Sequence, residues 1–371
     1  MTRRWVGLAL GVFAWIAFLL LSANPAVAEV VAGTGPIPAL RRILSLASGV
    51  VGVSLAEFVV LAVVVRQAVG GWKGVKAVRE ELIGVRRALG YGALRLAQDA
   101  GVLLFLFYLL WGFQYARPGL EERLGIAAAG EVSADELHHL ALRSVERLNA
   151  LYREVHGSGD AGAATAAPDL ATLVPGLHSG WARVVADFGL APQMNRRHGD
   201  PKTFLSTPLM RRFGVAGMHF PYTGEALVLS DLPGVLLGMD MGHEMAHQRG
   251  IAREADANVL AFLVAASSDD PLARYSAQHF LNRQLVTALQ RIAPTEARDV
   301  TRMREPGVAR DYAHVREFWQ PAQGVAGAAA TRVNNAMLRS HGIPEGVASY
   351  QGSVWVLVAV AREWGEDKLF R

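Results

Sequence analysis

The sequence contains no cysteine. That excludes disulfides, cysteine-ligated zinc and a thiol nucleophile, and leaves histidine and carboxylate side chains as the strong metal ligands. A cysteine-free chain is compatible with an exported domain. Charge is scarce as well. Charged residues make up 19% of the chain against 51% hydrophobic, and mean hydropathy is +0.22. This balance is too apolar for an ordinary soluble enzyme and points to membrane spans. A strong excess of one sign is missing too, since 37 Lys and Arg against 33 Asp and Glu leave a net +4. The basic residues gather around the N-terminal apolar segments. They read as topology signals, and no nucleic-acid partner is expected. There is no internal repeat, and 371 residues suffice for a membrane part plus one further domain.

Three apolar segments predict three transmembrane helices, near 5–21, 43–65 and 96–113. The first follows Arg3-Arg4 and precedes Ala26-Val27-Ala28, a small-residue run that also suits signal-peptide cleavage. The second carries Glu57, read as a helix-packing or interfacial carboxylate. Trp111 and Tyr115 after the third suit a membrane–water boundary. Arg66, Lys73, Lys76, Arg79, Arg86 and Arg87 lie between the second and third segments. By the positive-inside rule that connection is cytoplasmic, so the chain after about Arg117 lies outside the cytoplasm. Arg41 and Arg42, on the predicted outer side, count against this topology. The expected division is a membrane region 1–117 and an extracytoplasmic domain 118–371.

In the second part, Ser133-Ala134-Asp135-Glu136 is a capping box before a leucine-patterned helix. His138 and His139 on that helix point to different faces and read as surface residues. Residues 157–168 read as a flexible Gly/Ala loop and 169–188 as a second helix. Residues 215–229 read as a short hairpin. Its Ala226-Leu227-Val228-Leu229 run is a plausible edge strand for an extended substrate, or an ordinary strand. Ser230 or Asp231 is expected to cap the next helix, with Pro233 in its first turn.

That helix carries His243-Glu244-Met245-Ala246-His247. Residues four apart share a helical face, so both imidazoles can point at one metal ion. Glu244 sits beside them as a general base for an activated water, the H-E-x-x-H arrangement of zinc hydrolases. Zinc needs a third protein ligand. Gly250 lets the chain reverse, so Glu254 in the first turn of the following helix can reach back. Asn258 lies one turn further on the same face and suits a hydrogen bond to a ligating side chain. Asp256 lies well round the helix and is the weaker ligand candidate. A competing register, H-E-x-x-H-x-x-G-x-x-H, shares Gly250 but would place its third ligand at Arg253, which does not bind zinc. Tyr222, His219, Tyr275, His279 and Tyr350 are unranked candidates for stabilising a developing oxyanion. Glu225 reads as a solvent-exposed strand residue or one lining the cleft.

Three stretches carry a resemblance to a known family. Leu109 to Pro118 resembles the exit from the third membrane segment of a bacterial family described as domain of unknown function 3810. Tyr222-Thr223-Gly224-Glu225-Ala226, then His243 to Gly250 with Glu254 to Asn258, resemble its central signature, and Gly346 to Tyr350 its C-terminal one. The family is similar to gluzincin metallopeptidases. The resemblance therefore implies Zn2+ on His243, His247 and Glu254, with Glu244 as base and Asn258 in place of the Asp or Asn of the second gluzincin motif. The wholly apolar strand 226–229 departs from the family's more polar one, which implies different substrate contacts. Together these readings give a mainly α protein, with three N-terminal transmembrane helices and an α+β zincin-like domain. That domain has a small sheet and an H-E-x-x-H active-site helix. The expected function is a multi-pass metallopeptidase of the bacterial cytoplasmic (inner) membrane, acting extracytoplasmically on an envelope protein or peptide. The lipid bilayer is the other expected partner. The alternative is a non-catalytic metal-binding membrane protein with a structural or sensing role. An intramembrane protease is disfavoured, because the motif lies far along the chain from the apolar segments.

Overall fold

The computed structural model describes residues 5–157 and 164–371; Arg3-Arg4 and part of the Gly/Ala loop lie outside the described residues. The fold is mainly helical, with one three-stranded sheet among the described residues.

Among the described residues two helices, rather than the three expected, have the length and apolarity to cross a membrane: Leu55–Arg79 and Val85–Leu110. Their most apolar stretches are only 6% and 17% buried by protein. The first apolar helix, Val6–Ser22, is shorter at 17 residues. It lies along Val85–Leu110 through small residues. A Cβ on Gly7 would stand 2.4 Å from the Gln98 carbonyl oxygen, and one on Gly11 2.8 Å from the Gly101 Cα. Glycine at these positions is what lets the two backbones touch.

The expected span 43–65 is in fact two helices. Pro36–Gly49 ends before an exposed turn at Val50–Val53, and Leu55–Arg79 begins at the Ser54 cap, whose hydroxyl accepts from the Glu57 N–H. A continuous apolar run hid this break. The burial pattern of Pro36–Gly49 explains it: Ile37, Arg41, Ser45 and Ser48 face inward. A stripe this polar packs against protein, not lipid. Ser45 Oγ accepts from the Gly199 N–H at 2.9 Å and from Gln248 Nε2 at 3.1 Å. The connection between the two long helices is also shorter than expected, because Arg66, Lys73, Lys76 and Arg79 are helical.

Two carboxylates fasten the Leu55–Arg79 helix to the sheet. Glu225 accepts from the Leu55 and Ala56 N–H groups at 2.9 and 2.7 Å, capping the helix from outside, and from Lys202 Nζ at 2.6 Å. Glu57, in the first turn, accepts from the Leu205 and Ser206 N–H groups at 2.7 and 2.8 Å. Glu225 is therefore buried, at 2% exposure, and not the exposed strand residue expected. Burial pushes its pKa up, but Lys202, Thr223 and the Leu55 N–H outweigh that and hold it below 4.5. A depressed carboxyl contributes stability that is present above its unfolded value and lost as pH falls through the folded one. Melting followed from pH 6 to about pH 3 is expected to show an acid limb that Glu225→Gln flattens. At neutral pH that variant leaves Lys202 with the Ser48 and Val53 carbonyls but no counter-charge, and costs about 3 kcal/mol.

The sheet order is β1 (Lys202–Thr203), β3 (Glu225–Val228), β2 (Gly217–Phe220). β1 runs parallel to β3, with Lys202 opposite Leu227, while β2 is antiparallel to it, with His219 opposite Ala226. Thus β3 is the central strand, not an edge, which accounts for its unbroken apolar run. The free edge belongs to β2. The Leu229 N–H donates to the Ala216 carbonyl, so Gly217 and His219 turn their own backbone groups outward.

Helix Gly234–Gln248 starts at Pro233 without a side-chain cap. The expected caps have other partners: Ser230 bonds Thr207 and Asp231 pairs with Arg211. It ends at Gly250, whose φ of +87° allows the Gly250 N–H to bond the His247 carbonyl and the Ile251 N–H that of Ala246. Helix Glu254–Ala266 then folds back against it. A Cβ on Gly242 would contact Ala261 at 3.4 Å. Behind the pair lie Pro271–Ile292, Leu170–Asp187 with the fully buried Trp181, and Ser353–Trp364.

Candidate metal centre

His243 and His247 sit one turn apart on Gly234–Gln248, with ring centroids 4.5 Å apart and planes nearly perpendicular. Each ring is held at Nδ1. His243 Nδ1 lies 2.9 Å from Asn258 Oδ1, and His247 Nδ1 lies 2.6 Å from the Ile251 carbonyl oxygen. Both oxygens accept, so Nδ1 carries a hydrogen on each ring and Nε2 is the atom turned toward Glu254, able to ligate once unprotonated. Those Nε2 atoms stand 3.0 and 3.5 Å from Glu254 Oε2. Three donors about 2.0 Å from one tetrahedral ion are about 3.3 Å apart. The three residues are buried, and their ligand atoms lie within 4.8 Å of one another, so the group could hold a metal ion.

Electrostatics agree with a site for a cation. Burial opposes the charge on Glu254, but His247 and His243 outweigh it and hold the carboxyl far below its usual range. Burial would lower His247, yet Glu254 carries it up to about 9. Burial, with His247 as neighbour, lowers His243. Such a pair gives up its proton to an entering cation. Glu244 is 4% exposed, and burial raises its carboxyl to about 8. Its Oε2 has no hydrogen-bond partner. The edge strand crosses directly over it, since a Cβ on Gly217 would lie 2.6 Å from Glu244 Oε1. Asp256 points away, accepting from the Leu120 N–H at 3.0 Å, and Arg253 donates to the Arg117 carbonyl.

Of the five oxyanion candidates, two reach the centre. Tyr350 faces Glu254, its carbonyl accepts from Asn258 Nδ2 at 3.4 Å, and its hydroxyl accepts from Asn334. His219 packs at a tilt against Trp111, bonds the Glu225 carbonyl through Nδ1, and turns its backbone N–H toward Glu244. Tyr222 instead donates to the Leu103 carbonyl. Tyr275 donates to Asp311, and His279 stacks on Tyr312, both in a separate buried cluster.

Trp111 was legible only as a boundary residue. It packs edge-on against His247, with centroids 5.3 Å apart. Trp111 directly follows helix Val85–Leu110, so the centre touches the end of a candidate membrane helix despite its distance along the chain.

Asn258→Ala is expected to leave the fold intact and lower metal affinity about 10- to 100-fold, as losing a partner that orients a ligand does. Titration against a chromophoric chelator measures this.

Fold and site together define a mainly helical protein with two helices suited to a membrane and a buried His–His–Glu group able to hold a metal ion. A family model described as protein of unknown function (DUF3810) matches residues 34–358, and the chain belongs to that family. No curated protein and no solved structure matches it.

Proposed function

We propose that the chain is a membrane-anchored, zinc-dependent metallopeptidase that cleaves peptide bonds of an envelope protein or peptide. The observation that carries this reading is the convergence of two imidazole Nε2 atoms and Glu254 within 4.8 Å, with a buried, raised carboxyl at the next position of the same helix. Zinc held by His243, His247 and Glu254 would supply Lewis acidity toward a peptide carbonyl and lower the pKa of an attacking water. Glu244 takes the water's proton and returns it to the leaving amine. A bound cation would offset the burial that raises Glu244, leaving its carboxylate to accept the proton and later return it. Asn258 and the Ile251 carbonyl keep both imidazoles turned toward Glu254. The outward backbone of β2 accepts an extended peptide by strand addition, and Tyr350 is the side chain placed to meet charge developing on the carbonyl oxygen.

Leu55–Arg79 and Val85–Leu110 anchor the chain in a bacterial cytoplasmic membrane. Lys73, Lys76, Arg79, Arg86 and Arg87 gather at the cytoplasmic end. The centre then lies on the extracytoplasmic side, beside Trp111 at the bilayer surface, and a membrane-proximal stretch of an envelope protein is the substrate that geometry favours. One observation favours a second reading, a structural or sensing metal site: the side chains of His243, His247 and Glu254 are only 12%, 7% and 10% exposed. The zinc-loaded full chain in maltoside detergent, incubated with a library of unstructured peptides and followed by mass spectrometry, separates the two. Cleavage abolished by 1,10-phenanthroline and restored by zinc is expected. An untouched library leaves the sensing role.

A further inference from the structure

Away from the metal centre, a cavity of 50 Å³ is lined by Arg41, Arg42, Arg117, Arg123, Arg196 and Arg249. Its volume is several times the ~10–15 Å³ that one water needs. Few carboxylates answer these six guanidinium groups. Glu29 pairs with Arg117 at 2.8 and 2.9 Å. Asp256 acts on Arg123 and is itself taken up by the Leu120 N–H. Arg249 donates to the Met194, Met245 and Arg196 carbonyls and lies over the Trp181 ring, and Arg42 donates to the Arg197 carbonyl. These bonds orient the cations without neutralising them.

Arg41 is the decisive member. It is 3% exposed, and its Nε and Nη1 have no hydrogen-bond partner among the described residues. A buried guanidinium with open donors is costly unless an acceptor meets it. It is also packed in place: a Cβ on Gly250 would lie 2.3 Å from Arg41 Nη2. The open Nε and Nη1 lie on different edges of the guanidinium, so each can donate to a separate acceptor oxygen. Several such groups around one small cavity match an acceptor with oxygens on all sides and more than one negative charge.

We propose that this cavity binds a phosphate group, with Arg41 as its central ligand and Arg42, Arg123 and Arg196 around it. The phosphate is that of a lipid headgroup or a free phosphate. Gly33, Pro38 and Ala39 also line the cavity, and belong to the stretch between the first apolar helix and Leu55–Arg79. That stretch joins two apolar helices, which makes a lipid headgroup one source of the phosphate.

The test uses the full chain in maltoside detergent, with inorganic phosphate as probe and chloride at matched ionic strength as control. About one phosphate per chain is expected by equilibrium dialysis, with a rise in melting temperature that chloride does not give. Arg41→Met is expected to weaken phosphate binding at least about tenfold, the worth of a charge-assisted hydrogen bond. Arg196 is exposed, so Arg196→Ala does not risk the fold, and it is expected to weaken binding about threefold through lost charge alone. In nanodiscs, loss of phosphate binding when phosphatidic acid is added to phosphatidylcholine identifies a headgroup as occupant. Unchanged binding identifies free phosphate. Equal response to phosphate and chloride in the wild-type chain, or wild-type phosphate affinity in both variants, overturns the assignment.

Discussion

Glu244→Gln is expected to retain the metal of the wild-type chain and to lower peptide hydrolysis by about 10²- to 10⁴-fold, the range that a general acid–base group contributes. The structure makes this substitution unusually clean. Glu244 is not among the three converging ligands, so metal content should not change. The amide has the shape of the carboxyl and stays neutral in a pocket where burial already disfavours charge. The variant should therefore melt no lower than the wild type. Metal content by elemental analysis, melting temperature and cleavage rate, taken together, read the result. Loss of metal would mean that Glu244 is a ligand. Undiminished cleavage would mean that the base lies elsewhere.

The second large effect is at the ligands. His243→Ala is expected to take metal content from about one ion per chain to near zero, because two protein ligands fall below the three of an open zinc site. It also leaves Asn258 Oδ1 without the imidazole it orients. Glu254→Gln keeps the shape of the side chain but removes the charge that holds His247 protonated in the ion-free pair. It too is expected to lose the metal, with a smaller change in melting temperature. If both variants keep a full complement of metal, the ion resides elsewhere. Elemental analysis of each purified protein decides between these outcomes.

Much of this centre could be read from local pattern. The pairing of His243 with His247, the reversal at Gly250, the return of Glu254 and the place of Asn258 all depend on helical spacing within sixteen residues. The helix ends at Ser133 and Asp169 were legible for the same reason, since a cap touches only residues two or three further on. What could not be read depends on partners far away in sequence. Nothing near Ala226 says that Lys202-Thr203 will pair beside it and turn an expected edge into a centre. Tyr350 and Tyr275 look alike in sequence, and only the packing of the C-terminal segment against Glu254–Ala266 brings one of them to the site. The break after Gly49 was masked by flanking apolar residues, and the inward stripe of Arg41, Ser45 and Ser48 has meaning only beside Gly199 and Gln248. Trp111 against His247 is the clearest case, because separation along the chain was mistaken for separation in space.

The two carboxylate fastenings also set an order of manufacture. Leu55 meets its Glu225 partner 170 residues later in the chain, and Gln248 meets Ser45 across 203. At a synthesis rate of about 5–20 residues per second, the N-terminal helices exist for roughly 10–30 s before the strand that fastens them has been made. Through that interval they are without the long-range partners that hold them in the finished fold. His243 is younger than either strand of the hairpin, and Tyr350 is younger still. The three ligands are made only after the strand that fastens the N-terminal helices, so a metal ion has no complete set of side chains to meet until Glu254 has been added.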